Sequence, residues 1–204
     1  MRKCRFKISC IHDIIDSDER GGGPPAARLP APACRELRLR KEVLIMFITS
    51  YKATLQKNRL MALEPVRDYL CGDGDDTIKN TAAAAHVLVD CIRLHEEADE
   101  HMVVLCLNAS GRVIGCFEMT SGSIMSVPFD VGGIMRKVLM MNCVSFIMAH
   151  NHPGGTNSPS SEDLDATEKV KEAAEMLGLR LLDHFIIAGP TGDYISLREE
   201  GYIK

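Results

Sequence analysis

The spacing of apolar and polar positions sorts this chain into strands and helices from residue 47 onward. Residues 47–60 (FITSYKATLQKNRL) mix β-branched and aromatic side chains with polar ones, the pattern of an edge strand or strand pair at a sheet margin. Residues 73–76 (DGDD) read as a turn. Asn80 or Thr81 can then cap a helix through His95, because Ala84, Val87, Leu88, Cys91 and Leu94 recur at helical spacing. Residues 102–107 are uninterrupted apolar, 108–111 form a turn and 112–119 are again β-rich, which predicts a hairpin with a buried first strand. An irregular loop or short strand is expected over 122–127. A helix is expected over 130–141, where Val131, Ile134, Met135, Val138 and Leu139 share a face. Residues 144–148 predict a short buried strand, and Pro153-Gly154-Gly155 stops it soon after. A helix over 161–177 ends at Gly178, and strands over 179–188 and 194–197 close the pattern. The expected fold is α/β of the α+β type, one domain on a mixed, mostly antiparallel sheet.

Residues 1–40 break this regularity. They begin with alternating basic and apolar residues and pass into GGGPPAA and a second proline-alanine stretch. Such composition suits a flexible leader, with Met46 as an alternative start. The domain division is therefore a leader over 1–45, an extension over 46–80 and the main domain over 81–204. Charge follows the same boundary: ten of the 24 Lys/Arg but six of the 28 Asp/Glu lie in 1–45, leaving fourteen against twenty-two in the body. An acidic body lacks the basic face that displaces counterions from phosphates, so a nucleic-acid partner is not expected for it. Eight cysteines at irregular spacings, without a Cys-x-x-Cys pair, look like reduced core residues. With no convincing secretory leader and no apolar run of membrane length, the expectation is a cytoplasmic protein with no membrane partner. No pattern specifies an oligomeric state.

The chemistry is concentrated in residues 149–163, AHNHPGGTNSPSSED. Residues two apart on a strand share a face, so His150 and His152 can aim both imidazoles at one point. Asp163, in the first turn of the following helix, can fold back across the Pro/Gly-rich loop. Two neutral nitrogens and a carboxylate oxygen leave one tetrahedral position open, the donor set of a catalytic zinc. Ser160-x-x-Asp163 is also a helix-capping pattern, and Ser160 is expected to cap through its backbone while its hydroxyl faces the site. A zinc hydrolase also needs a carboxylate that is not a ligand, to move protons. Glu96, Glu97, Asp99, Glu100 and Glu118 are the choices, and Glu100 shares strand parity with Met102, Val104 and Cys106, which would point it inward. The competing reading is a hydrated charge run and two loop histidines.

His-Asn-His-Pro, six residues, then Ser-x-x-Asp resembles the JAMM motif of the MPN/JAB metallopeptidase superfamily, most closely its bacterial RadC-like branch. The resemblance covers about residues 46–204, including Glu100 before an apolar strand and the LLDHFIIAG stretch. It implies a cytidine-deaminase-like domain with a curved mixed sheet flanked by helices. It also implies one Zn2+ per chain on His150, His152 and Asp163, Glu100 as general acid/base and Ser160 as a stabiliser of the oxyanion. His184 matches a recurring histidine and is taken as a buried residue behind the site. The implied function is a metalloprotease-type hydrolase of peptide or isopeptide bonds, with a polypeptide substrate. Residues 1–80 hold no convincing counterpart of the DNA-associated helix-hairpin-helix region of longer RadC-like proteins. The alternative is a non-catalytic MPN-type scaffold or DNA-repair-associated accessory protein in which the metal only stabilises a loop.

Overall fold

The computed structural model describes residues 45–73, 77–120 and 130–203. The expected leader, most of the 73–76 turn and the 122–127 loop lie outside them. Seven strands form one sheet: β1 (Ile45–Leu55), β2 (Met61–Asp73), β3 (His101–Leu107), β4 (Val113–Thr120), β5 (Ser145–His152), β6 (Arg180–Ala188) and β7 (Tyr194–Ser196). Their order is β2-β1-β4-β3-β5-β6-β7, with β1/β4 and β5/β6 parallel and the other neighbours antiparallel. The mixed, mostly antiparallel sheet flanked by helices is therefore present.

The curvature implied by the resemblance is not: the sheet is open and does not curl strongly. Only Ser50 and Tyr51 register with Cys116 and Phe117 between β1 and β4, so the β1–β2 hairpin prolongs the sheet instead of closing it. β2 was not legible as a strand, since Glu64, Pro65, Arg67 and Asp68 disguise it. Pro65 is tolerated because β2 is an edge strand, where a residue with no N–H to donate can turn that side away from the ladder.

β3 explains why the sheet has a core on each face. Its period of two sends Val103, Leu105 and Leu107 into one cluster and Met102, Val104 and Cys106 into the other. The first cluster is covered by α1 (Thr81–His86) and the residues that follow it. The second is covered by α2 (Val131–Met140) and α3 (Ser161–Met176). β5 splits the same way, with Ile147 and Ala149 against the first cluster and Phe146 and Met148 against the second. His150 continues the parity of Met148, so β5 carries it towards the face of α2 and α3.

The helix expected through His95 differs from its prediction. Asn80 caps α1 as read, accepting from the Ala83 amide at 2.8 Å. After six residues the turn widens into a π-helical stretch over Val87–Cys91, with Ile92 N donating to Val87 O. Arg93 is left-handed (φ 60°) and ends the run, before a single 3-10 turn at Leu94–Glu96. Val87, Leu88, Cys91 and Ile92 are all buried against the first cluster. Among the described residues no helix is long and apolar enough to cross a membrane.

Candidate metal centre

β5 is longer than its apolar run because its backbone keeps pairing through the histidines: Met102 registers with His150, and His152 with Ala188. The strand ends at Pro153. His152 O then accepts from both Gly155 N and Gly189 N, at 3.0 Å each. Gly155 has φ +85°, and a Cβ there would lie 3.1 Å from Gly189 O, so the turn behind His152 requires glycine on both counts.

Asp163 arrives from the first turn of α3. The Ser160 hydroxyl accepts from Asp163 N at 3.1 Å, and the Asp163 carboxylate accepts from Ser160 N at 2.8 Å, a complete capping box. The hydroxyl also donates to Asp163 Oδ2 at 2.7 Å. It therefore makes the cap itself, where the sequence reading had left that task to the backbone. The serine steadies the carboxylate it precedes.

The donor atoms converge. His150 Nε2 and His152 Nε2 are 2.9 Å apart, His150 Nε2 is 3.2 Å from Asp163 Oδ1, and His152 Nε2 is 3.6 Å from Asp163 Oδ2. Ligands about 2.0–2.1 Å from a tetrahedral ion are roughly 3.3 Å from one another, and these three separations bracket that value. Donor atoms of Glu100, His150 and His152 also lie within 4.8 Å of one another. Glu100 stands immediately before β3 and is half-buried.

Three of the other carboxylates considered from sequence go elsewhere. Glu118 follows the parity of Cys116 to the opposite face, where it accepts from Tyr69 Oη at 2.5 Å and Ser50 Oγ at 3.0 Å. Glu96 pairs with Arg93, and Glu97 lies 3.5 Å from His101 Nδ1. The Asp99 carbonyl serves a different purpose, described below.

The partners of the outer ring nitrogens assign the tautomers. His152 Nδ1 is 3.0 Å from Thr156 O, a carbonyl that can only accept, so Nδ1 carries a proton. His150 Nδ1 faces His184 Nε2 at 2.9 Å. In neutral rings the two inner nitrogens would then be lone pairs pointed at each other beside an anion, an arrangement that calls for a cation. The hydrogen bond to Asp163 raises the pKa of His152 despite opposing burial. Burial works against the Asp163 carboxylate, but His150 and His152 outweigh it and hold its pKa well below the usual range. His184 is fully enclosed, and burial, then the neighbouring His150, drives its pKa well below that of a free histidine.

Asn151 is the site residue that sequence reasoning did not assign. It points to the opposite face from the histidines, is fully buried, and accepts from His101 N at 2.7 Å through Oδ1. Its Nδ2 donates to Glu97 O at 3.0 Å and Asp99 O at 3.1 Å. One side chain thus fastens both flanks of Glu100 to β5. The available signal was a polar residue at an inward position of an apolar strand. Beside His152 and its partner Ala188 lies a cavity of about 430 Å3, lined by Gly155, Asn157, Ala188, Gly192, Asp193 and Tyr194.

Comparison with known proteins agrees with this architecture. The model of the RadC-like JAB domain matches residues 78–202. A UPF0758 protein of Porphyromonas gingivalis is 42% identical over 104 residues, 51% of this chain and 45% of its own length. One from Aquifex aeolicus is 37% identical over 127 residues, 62% of this chain and 53% of its own length. One from Methanosarcina barkeri is 35% identical over 112 residues, 55% and 48% respectively. The chain spans about half the length of these curated relatives. With a family model covering more than half of its residues and a donor cluster at the end of β5, the chain belongs to the RadC-like JAB domain family.

Proposed function

We propose that this domain binds one zinc ion through His150, His152 and Asp163 and uses it to hydrolyse a peptide or isopeptide bond. The observation that carries the reading is the convergence of two histidine Nε2 atoms and the Asp163 carboxylate at ligand spacing, with Glu100 close by. Two imidazoles and one carboxylate suit zinc and leave a coordination position free. Bound zinc would act as a Lewis acid and lower the pKa of a water molecule. Glu100, not required as a ligand, would take a proton from the attacking water and return it to the leaving amine. Ser160 orients Asp163, and stabilising an oxyanion would require its hydroxyl to turn away from that carboxylate.

On this reading part of a polypeptide substrate would occupy the cavity beside His152. The acidic body argues against nucleic acid as that substrate. Five free, buried cysteines fit a reduced, cytoplasmic setting.

A scaffold or accessory protein with a stabilising metal is the second reading, favoured by the way Ser160, Asp163, His152 and Thr156 knit the ligand loop together. Glu100→Gln separates the two. The hydrolase reading expects stoichiometric zinc with turnover lost, whereas His152→Ala loses both metal and turnover. Wild-type protein that binds no divalent metal rejects the metal centre. Zinc binding without hydrolysis across a peptide and isopeptide library transfers the assignment to the scaffold.

A further inference from the structure

We infer that Thr167 and His184 are positioning residues that set the tautomer of His150 and thereby aim its Nε2 lone pair at the metal. The inference rests on the proposed metal centre and deepens it. Thr167 lies one helical turn beyond Asp163 on α3, with its hydroxyl donating to Asp163 O at 2.5 Å. That bond uses its only proton, so towards His184 Nδ1, 2.6 Å away, the Thr167 oxygen can only accept. His184 Nδ1 must therefore carry the ring proton. In an uncharged imidazole this leaves His184 Nε2 as an acceptor, and it meets His150 Nδ1 at 2.9 Å. His150 donates there, and its Nε2 turns a lone pair to the cluster.

All three side chains are buried: Thr167 is 3% exposed, and His150 and His184 are 0% exposed. Water therefore has little chance to substitute for any partner. A histidine ligand commonly gives its outer proton to a carboxylate, a carbonyl or water. Here the acceptor is a neutral imidazole, which fixes the proton without adding negative charge behind the metal. Because α3 carries both Asp163 and Thr167, one helix positions a direct ligand and the start of the relay to another.

The test is zinc affinity, read by competition with a chromophoric chelator, together with 15N–1H imidazole spectra of the zinc-loaded domain. Wild-type protein is expected to show His150 and His184 protonated at Nδ1. Thr167→Val keeps the shape and removes the hydroxyl. It should give His184 a mixed tautomer and weaken zinc binding about 10-fold, within the range found for lost partners of metal ligands. Thr167→Ser should restore both readouts. His184→Gln, whose amide can donate to Thr167 and accept from His150, should hold zinc better than His184→Leu.

Wild-type affinity and tautomers in Thr167→Val would overturn the relay. So would a loss that serine does not restore, or equal affinities for the Gln and Leu variants. Failure of wild-type protein to bind zinc is a different result, which removes the metal centre and the relay with it.

Discussion

Asn151→Ala probes the step between fold and site, because Asn151 touches no proposed ligand through its side chain yet holds both flanks of Glu100. The substitution removes three hydrogen bonds, from His101 N at 2.7 Å and to Glu97 O and Asp99 O at 3.0 and 3.1 Å. At about 1 kcal/mol net for each, the loss is roughly 3 kcal/mol. For a domain of this size that corresponds to a fall in Tm of about 6–12 °C. His150 and His152 stay on the paired strand β5, so zinc affinity should change by less than about threefold, well short of the losses seen when a ligand's own partner is removed. Turnover should fall towards that of Glu100→Gln, because the carboxylate is no longer fixed. Thermal melts of the metal-free domain, a zinc titration and hydrogen exchange at residues 97–101 measure these effects separately. A variant that melts within about 2 °C of wild type, with the His101 amide equally protected, would refute the clamp.

Three further outcomes follow from the titrating groups and the thiols. The His152 pKa is raised mainly by Asp163, so the pairing stabilises the metal-free fold below the ordinary histidine value of 6.5, and that contribution is lost as pH rises through the raised value. The advantage of wild type over His152→Gln in metal-free melts should accordingly be larger at pH 5.5 than at pH 8.5, and equal advantages would sink the argument. Zinc must displace the same proton, so its affinity should climb from pH 6 to pH 8, and a flat profile counts against His152 as a ligand. Cys71, Cys91, Cys106, Cys116 and Cys143 are free and buried, and burial is the first cause pushing the Cys116 thiol up. These five should react slowly with a thiol reagent under native conditions and rapidly in guanidinium. Mass-spectrometric detection of rapid native labelling at any of the five would contradict the burial.

What could be read in the sequence divides along a physical line. β3, β5 and α3 were legible because each has a strong period or an unambiguous stop: six apolar residues before Asn108, a proline and two glycines after His152, and Gly178 after Leu177. The expectation that His150, His152 and Asp163 approach one another came from the same source, since strand parity and a capping pattern are local. β2 was missed because its stability comes from pairing with β1 along an edge, and a one-dimensional pattern does not report a partner. The π-helical turn at Val87–Cys91 was missed for a related reason. The widened turn leaves the apolar spacing Val87, Leu88, Cys91 unchanged from that of a regular helix, so the pattern carries no mark of it.

The same distinction separates the parts of the site. Each candidate ligand announces itself by residue type, but what fixes its proton or its neighbour lies far away in the chain: His184 is 34 residues from His150, and Asn151 is 50 residues from the His101 amide that it binds. Both are polar side chains at inward positions of apolar strands, β6 and β5, where an unsatisfied group would cost about 1–3 kcal/mol. A buried polar residue whose sequence neighbours cannot satisfy it must have a distant partner. In this domain the distant partners are the residues that hold the proposed ligands and Glu100 in place. His184 and Asn151 therefore mark the site almost as strongly as the histidines that would bind the metal.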